Sequence, residues 1–122
     1  HKGRVRLGAN VLDPNGPVED DIGHGTALAG QIAGIDHGVA KRSQLDIYFK
    51  QDIGKSVINV SVGTAKNSDP LDFGYACIFV AVASGNDDVD AKTASPGNEP
   101  IVCTVGATDK DNKRHPNRTE VA

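Results

Sequence analysis

Two strand-like runs, one β-branched and nearly continuous and one wholly apolar, limit what this chain can fold into. SVINVSV (56–62) is followed at once by Gly63, and CIFVAVA (77–83) by Ser84 and Gly85. The first is β-branched, and a continuous run like the second, ended by a glycine, suits a strand buried on both faces of a parallel sheet. QLDIYF (44–49) alternates as a strand does, IVCTVGA (101–107) is a further apolar run, and RVRLGANVL (4–12) reads as a short opening strand. HGTALAGQIAG (24–34) differs: Ala27, Leu28, Gln31 and Ile32 recur at helical spacing, and Gly34 can cap the end. Gly30 inside that helix costs about 1 kcal/mol against alanine, a cost that close approach to another element would repay. Strands and a helix in this order predict an α/β fold.

The connections strain that reading. Parallel neighbours need a crossover of about a dozen residues. Between the runs ending at Lys50 and starting at Ser56 stand only QDIGK. Either those two strands pair antiparallel, or residues of the fold are missing near 50–56. The stretch 64–77, which contains Pro70, allows only a tight connection and is a second place for a shortfall.

Composition excludes several functions. A length of 122 residues suits one domain. A net charge of −3 lacks the basic face that nucleic acid requires. No apolar run approaches the roughly 18 residues of a membrane helix, and no signal peptide is visible. The chain opens HKGRVRLGAN, without Met, as expected of a mature or trimmed product. Cys77 and Cys103 allow one disulfide or none; each sits in an apolar run, where buried free thiols are the plainer reading. Fourteen glycines predict a core of small side chains.

Three places carry chemistry. His24 stands between Gly23 and Gly25 at the start of the helix. The partial positive charge of a helix N-terminus disfavours imidazolium, and a general base must be neutral imidazole. A lone histidine there can equally pack or cap. Ser84, Gly85 and Asn86 follow a buried strand, at the rim where open α/β sheets bind ligands. Asn86 can turn the chain or aim its amide at an oxyanion. Val62 and Gly63 leave another strand, where backbone groups can pair with an extended peptide or simply exit to a loop.

The local wording of these segments is more specific than each alone. D-x-x-G-H-G-T-x-x-A-G (20–30), then S-V-I-N-V-S-V-G (56–63), F-V-A-V-A-S-G-N (79–86) and S-P-x-x-E-P-x-V-C-T-V-G-A-T-D (95–109) resemble the subtilisin-like serine proteases. The last segment and the opening GRVRLGANV look most like their proteinase K branch. The resemblance runs through nearly the whole chain and implies a doubly wound, mostly parallel sheet with flanking helices, present only in part within 1–122.

By that resemblance His24 is the general base of a Ser-His-Asp triad, and Asn86 donates to the oxyanion hole. Ser61, Val62 and Gly63 form one wall of the substrate pocket; Ala83, Ser84 and Gly85 form the other. The implied reaction is peptide hydrolysis by acyl transfer, with peptide or protein substrates and peptide-like inhibitors as partners, in a secreted, extracellular monomer that needs no cofactor. Backbone carbonyls of Pro100 and Val102 correspond to ligands of a structural Ca²⁺. Cys103 matches a position whose disulfide partner lies downstream.

The departures matter as much. The family's Asp-Thr/Ser-Gly motif is absent, and Asp20 and Asp21 read as solvated loop charges. No G-T-S-M-A string occurs, so the nucleophile is not among Ser43, Ser56, Ser61, Ser68, Ser84 or Ser95. The 62 positions from His24 to Asn86 are fewer than the family's usual separation. The resemblance thus implies an incomplete stretch of a larger protease. The alternative is a non-catalytic peptide-binding module that keeps the strand-addition groove. Asn117-Arg118-Thr119 fits a glycosylation sequon. So does Asn59-Val60-Ser61, inside a predicted strand.

Overall fold

The computed structural model describes residues 3–10, 12–47, 56–64 and 78–115. The chain divides into two compact units, His1–Asp52 and Ile53–Ala122.

The first unit is a strand–helix–strand arrangement. β1 (Val5–Leu7) and β2 (Leu45–Ile47) pair in parallel, with Val5 opposite Leu45 and Arg6 opposite Asp46. On that register the Arg6 guanidinium grips the Asp46 carboxylate with two hydrogen bonds, of 2.5 and 2.6 Å. The same hydrogen bonding lowers the Asp46 pKa. The pair is exposed, so it fixes register more than it adds stability. Between the strands runs helix α1 (His24–Ala33). Its covered face is the stripe of buried Ala29 and Ala33 with half-buried Leu28 and Ile32. Arg4 closes the C-terminal end: its guanidinium donates to the carbonyls of Ala33 at 2.8 Å and Ser43 at 3.0 Å. That satisfies a helix-end carbonyl and places positive charge at the negative end of the dipole.

Gly34 does end the helix, as expected, but without a left-handed cap. A Cβ on Gly38 would fall inside the Gly34 backbone, so the turn needs glycine there for space. Gly30 departs from expectation. A Cβ on Gly30 would meet nothing within 4 Å, because this face of α1 lines an open groove with Ile35 and Val39.

The second unit is a three-stranded parallel sheet in the order β3 (Val57–Val60), β4 (Phe79–Ala83), β5 (Cys103–Val105). Val60 stands opposite Val82, and Ala83 opposite Val105. All three named ladders are parallel, so the antiparallel hairpin does not occur: β2 pairs with β1, and β3 with β4. Connectors 51–55 and 65–77, where a shortfall is expected, lie outside the described residues, as do Cys77 and the 117–119 sequon.

One face of the sheet carries the core. Val80 and Val82 are buried, together with Ala91, Ala94 and Ser95 from the segment after β4. That segment contains a 3₁₀ turn (Ala91–Thr93) capped by Asp90, whose carboxylate accepts from the Lys92 N–H at 2.9 Å. The opposite face is open: Val57, Phe79 and Val105 are 68%, 58% and 52% exposed. The expectation that these strands are covered on both faces therefore fails for this chain. Cys103 stands on the open face as an exposed free thiol, not a buried one.

Candidate active site

The second unit gathers most of the predicted positions at one rim. β3 and β4 are parallel neighbours, so their continuations, Ser61, Val62 and Gly63 on one side and Ser84, Gly85 and Asn86 on the other, leave the same edge of the sheet. This is the C-terminal edge, where parallel sheets place their ligand sites. Ala83, half-buried, is the last residue of β4. Ser84 is 3% exposed and its N–H donates to the Val105 carbonyl at 3.0 Å, carrying the ladder one step beyond β4. The chain then breaks away: Gly85 has φ 104°, a conformation that favours glycine, and Asn86 emerges into solvent.

On the other side, Val62 is 64% exposed. The Thr64 N–H donates to the Ser95 carbonyl at 2.9 Å, in an antiparallel bridge. A Cβ on Gly63 would lie 3.3 Å from that carbonyl, so glycine lets the exit of β3 pass close over the buried Ser95 segment. Gly97 has more room: a Cβ there would lie in ordinary contact with the Thr104 side chain and the Ala83 and Ala94 carbonyls. The Ser95–Gly97 stretch, which opens the 95–109 string of the resemblance but is assigned no place at the rim by it, thus passes beside both strand exits.

His24 lies in the first unit, as the first residue of α1, and is exposed. Gly23 precedes it with φ 83°. Asp20 holds this turn: one carboxylate oxygen accepts from the Gly23 N–H at 2.8 Å, the other from the Thr26 N–H at 2.6 Å. Hydrogen bonds from the Thr26 side chain and backbone, with that from Gly23, lower the Asp20 pKa to about 2. Asp20 is thus an exposed loop charge that also fastens the turn ahead of Gly23, the N-cap residue of α1. Asp21 is exposed.

Pro100 and Val102 lie in the turn before β5. Two backbone carbonyls fall short of the six to eight oxygens that Ca²⁺ takes. No cluster of three His, Cys, Asp or Glu side chains occurs among the described residues to complete a site.

No family model matches the chain. Subtilisin-like protease 3 of Arthroderma otae is 34% identical over 93% of this chain and 36% of its own length. The chain belongs to the subtilisin-like protease family. Subtilisin-like protease 12 of Arthroderma gypseum is likewise 34% identical, over 92% of the chain and 35% of that protein. A cold-adapted subtilisin-like serine proteinase, known from its crystal structure, superposes over 97% of the chain and 52% of its own chain, with TM-score 0.84 and 27% identity. The α/β subtilisin-like fold is thus present in part, and the chain spans about a third of the length of the curated relatives it matches. The first alignment runs over 143 residues against 93% of 122, about 113, leaving about 30 positions without a counterpart here.

Proposed function

We propose that this chain is part of a serine endopeptidase that cuts peptide bonds by acyl transfer. In this reading a serine hydroxyl, supplied outside these 122 residues, attacks the substrate carbonyl carbon while His24 takes its proton. Asn86 donates to the oxygen that becomes an oxyanion, and His24 then gives the proton to the departing amine. Water repeats the sequence on the acyl-enzyme. The walls 61–63 and 83–85 flank the substrate residue before the scissile bond, and the extended segment at 62–63 pairs with the peptide backbone.

The observation that carries the reading is the shared edge of β3 and β4. It brings Ser61, Val62 and Gly63 beside Ser84, Gly85 and Asn86 in a chain 34% identical to subtilisin-like proteases. Peptides or proteins are the substrates, and secretion goes with the relatives' class. No helix of the described residues is long and apolar enough to cross a membrane. Calcium, if the whole protein takes it, needs ligands beyond Pro100 and Val102.

A second reading is kept by one observation: no G-T-S-M-A string stands in this sequence. In it the same groove binds peptides without cutting them. A serine-directed phosphonyl fluoride separates the two. Stoichiometric labelling with loss of peptide hydrolysis supports the endopeptidase. Hydrolysis that continues without labelling rules out the serine mechanism, and peptide binding without hydrolysis selects the module.

A further inference from the structure

The loop that carries Asn86 is tied down from outside the strands. Beyond β5 the chain forms a short antiparallel hairpin. The Asp109 N–H donates to the Lys113 carbonyl at 2.8 Å, the His115 N–H to the Ala107 carbonyl at 3.2 Å, and Thr108 bridges Arg114. The Asp109 carboxylate fastens its tip, accepting from the N–H groups of Asp111 at 2.8 Å and Lys113 at 3.0 Å. The return limb delivers the Arg114 guanidinium to Asp88, at 2.9 Å, across 26 residues of sequence.

Asp88 is two residues past Asn86 and holds φ 53°, a left-handed conformation that Asp and Asn tolerate better than other side chains. Asp90 caps the next turn. The 84–90 loop is thus pinned at its start by the Ser84–Val105 hydrogen bond, at its end by the Asp90 cap, and in its middle by Arg114.

We propose that Arg114, acting through Asp88, is a positioning residue for the oxyanion donor Asn86. The assignment rests on the endopeptidase reading. Closing the ring from β4 through β5 and the hairpin back to the loop limits how far residues 86–88 can swing. An oxyanion donor works only when it is already in place as charge develops.

The test uses the full-length protein with Arg114→Ala, Arg114→Lys, Asp88→Asn and Arg114→Ala/Asp88→Asn. Asn keeps the left-handed backbone and removes the charge. An exposed ion pair supports at most about a fivefold effect. The expected result is a kcat lowered two- to fivefold in Arg114→Ala and in Asp88→Asn with KM unchanged, partial recovery in Arg114→Lys, and a double variant no worse than either single. Amide exchange at 85–89 rises in Arg114→Ala while that of β4 does not. Unchanged exchange overturns the clamp. Faster exchange with wild-type kcat overturns the positioning role. A wild-type protein that hydrolyses no peptide overturns the underlying reading and this role with it, and is told apart because the exchange result still shows whether the clamp exists.

Discussion

Replacing Gly30 by alanine should stabilise the protein. Gly30 lies inside α1, and a Cβ there would meet nothing within 4 Å. The substitution therefore removes the glycine penalty without adding a clash. Helix propensity and the lost freedom of the unfolded chain together favour alanine by about 0.5–1 kcal/mol. With an m-value of about 2 kcal/mol/M, a gain of about 0.75 kcal/mol raises the urea midpoint by about 0.4 M. Gly38→Ala is the internal contrast. Its Cβ would fall inside the Gly34 backbone, so the turn after α1 must shift, and overpacking of this kind costs about 1–3 kcal/mol. Urea unfolding of both variants, followed by circular dichroism with equal m-values, reads the two effects with opposite sign. A destabilised Gly30→Ala would refute the reasoning. It would mean that another element occupies the groove along Ala27, Gly30, Gln31 and Gly34.

Acid should loosen the turn under His24. The Asp20 pKa is depressed from 3.8 to about 2, so its hold on the turn is fully present above about pH 4 and lost as pH falls through about 2. Amide exchange at Gly23 and Thr26 should rise across that window, and in Asp20→Asn the rise should not follow the same pH curve. Asn86→Ala should lower kcat of the full-length protein by about 10²–10³ with little change in KM, the size of loss seen when a subtilisin's oxyanion donor is removed. A loss expressed wholly in KM would move Asn86 from the oxyanion to substrate binding.

How far the sequence carried depended on the kind of signal. The helical spacing after His24 predicts the extent of α1 to within a residue, but its face only in part: Leu28 and Ile32 are half-buried as expected, whereas Ala27 and Gln31 are exposed and the buried residues are Ala29 and Ala33. The two runs locate β3 and β4 because strands favour such series, and their parallel pairing means that the segments after Val60 and after Ala83 leave the sheet at the same edge. The same runs misstate burial. An apolar run shows what a strand can bury, not what this chain supplies to cover it, and Val57, Phe79 and Val105 stay open. Such an exposed face predicts poor independent stability for these residues alone. Asp20 is exposed in the loop before α1, as its sequence context implies, but its hydrogen bonds to N–H groups three and six residues on are not announced by that context. The Ser95 carbonyl beneath Gly63 and the reach of Arg114 to Asp88 are long-range contacts, and no local pattern announces them.

The central claim is that His24 and Asn86 serve one reacting carbonyl. A crystal structure of the full-length protein inactivated by a phosphonyl fluoride measures it directly. The account predicts phosphorus bonded to a serine Oγ, the Asn86 side-chain nitrogen about 3 Å from a phosphonyl oxygen, and the His24 ring within hydrogen-bond reach of that serine oxygen. An adduct whose oxygen is held by other groups, with either residue turned away, would contradict it.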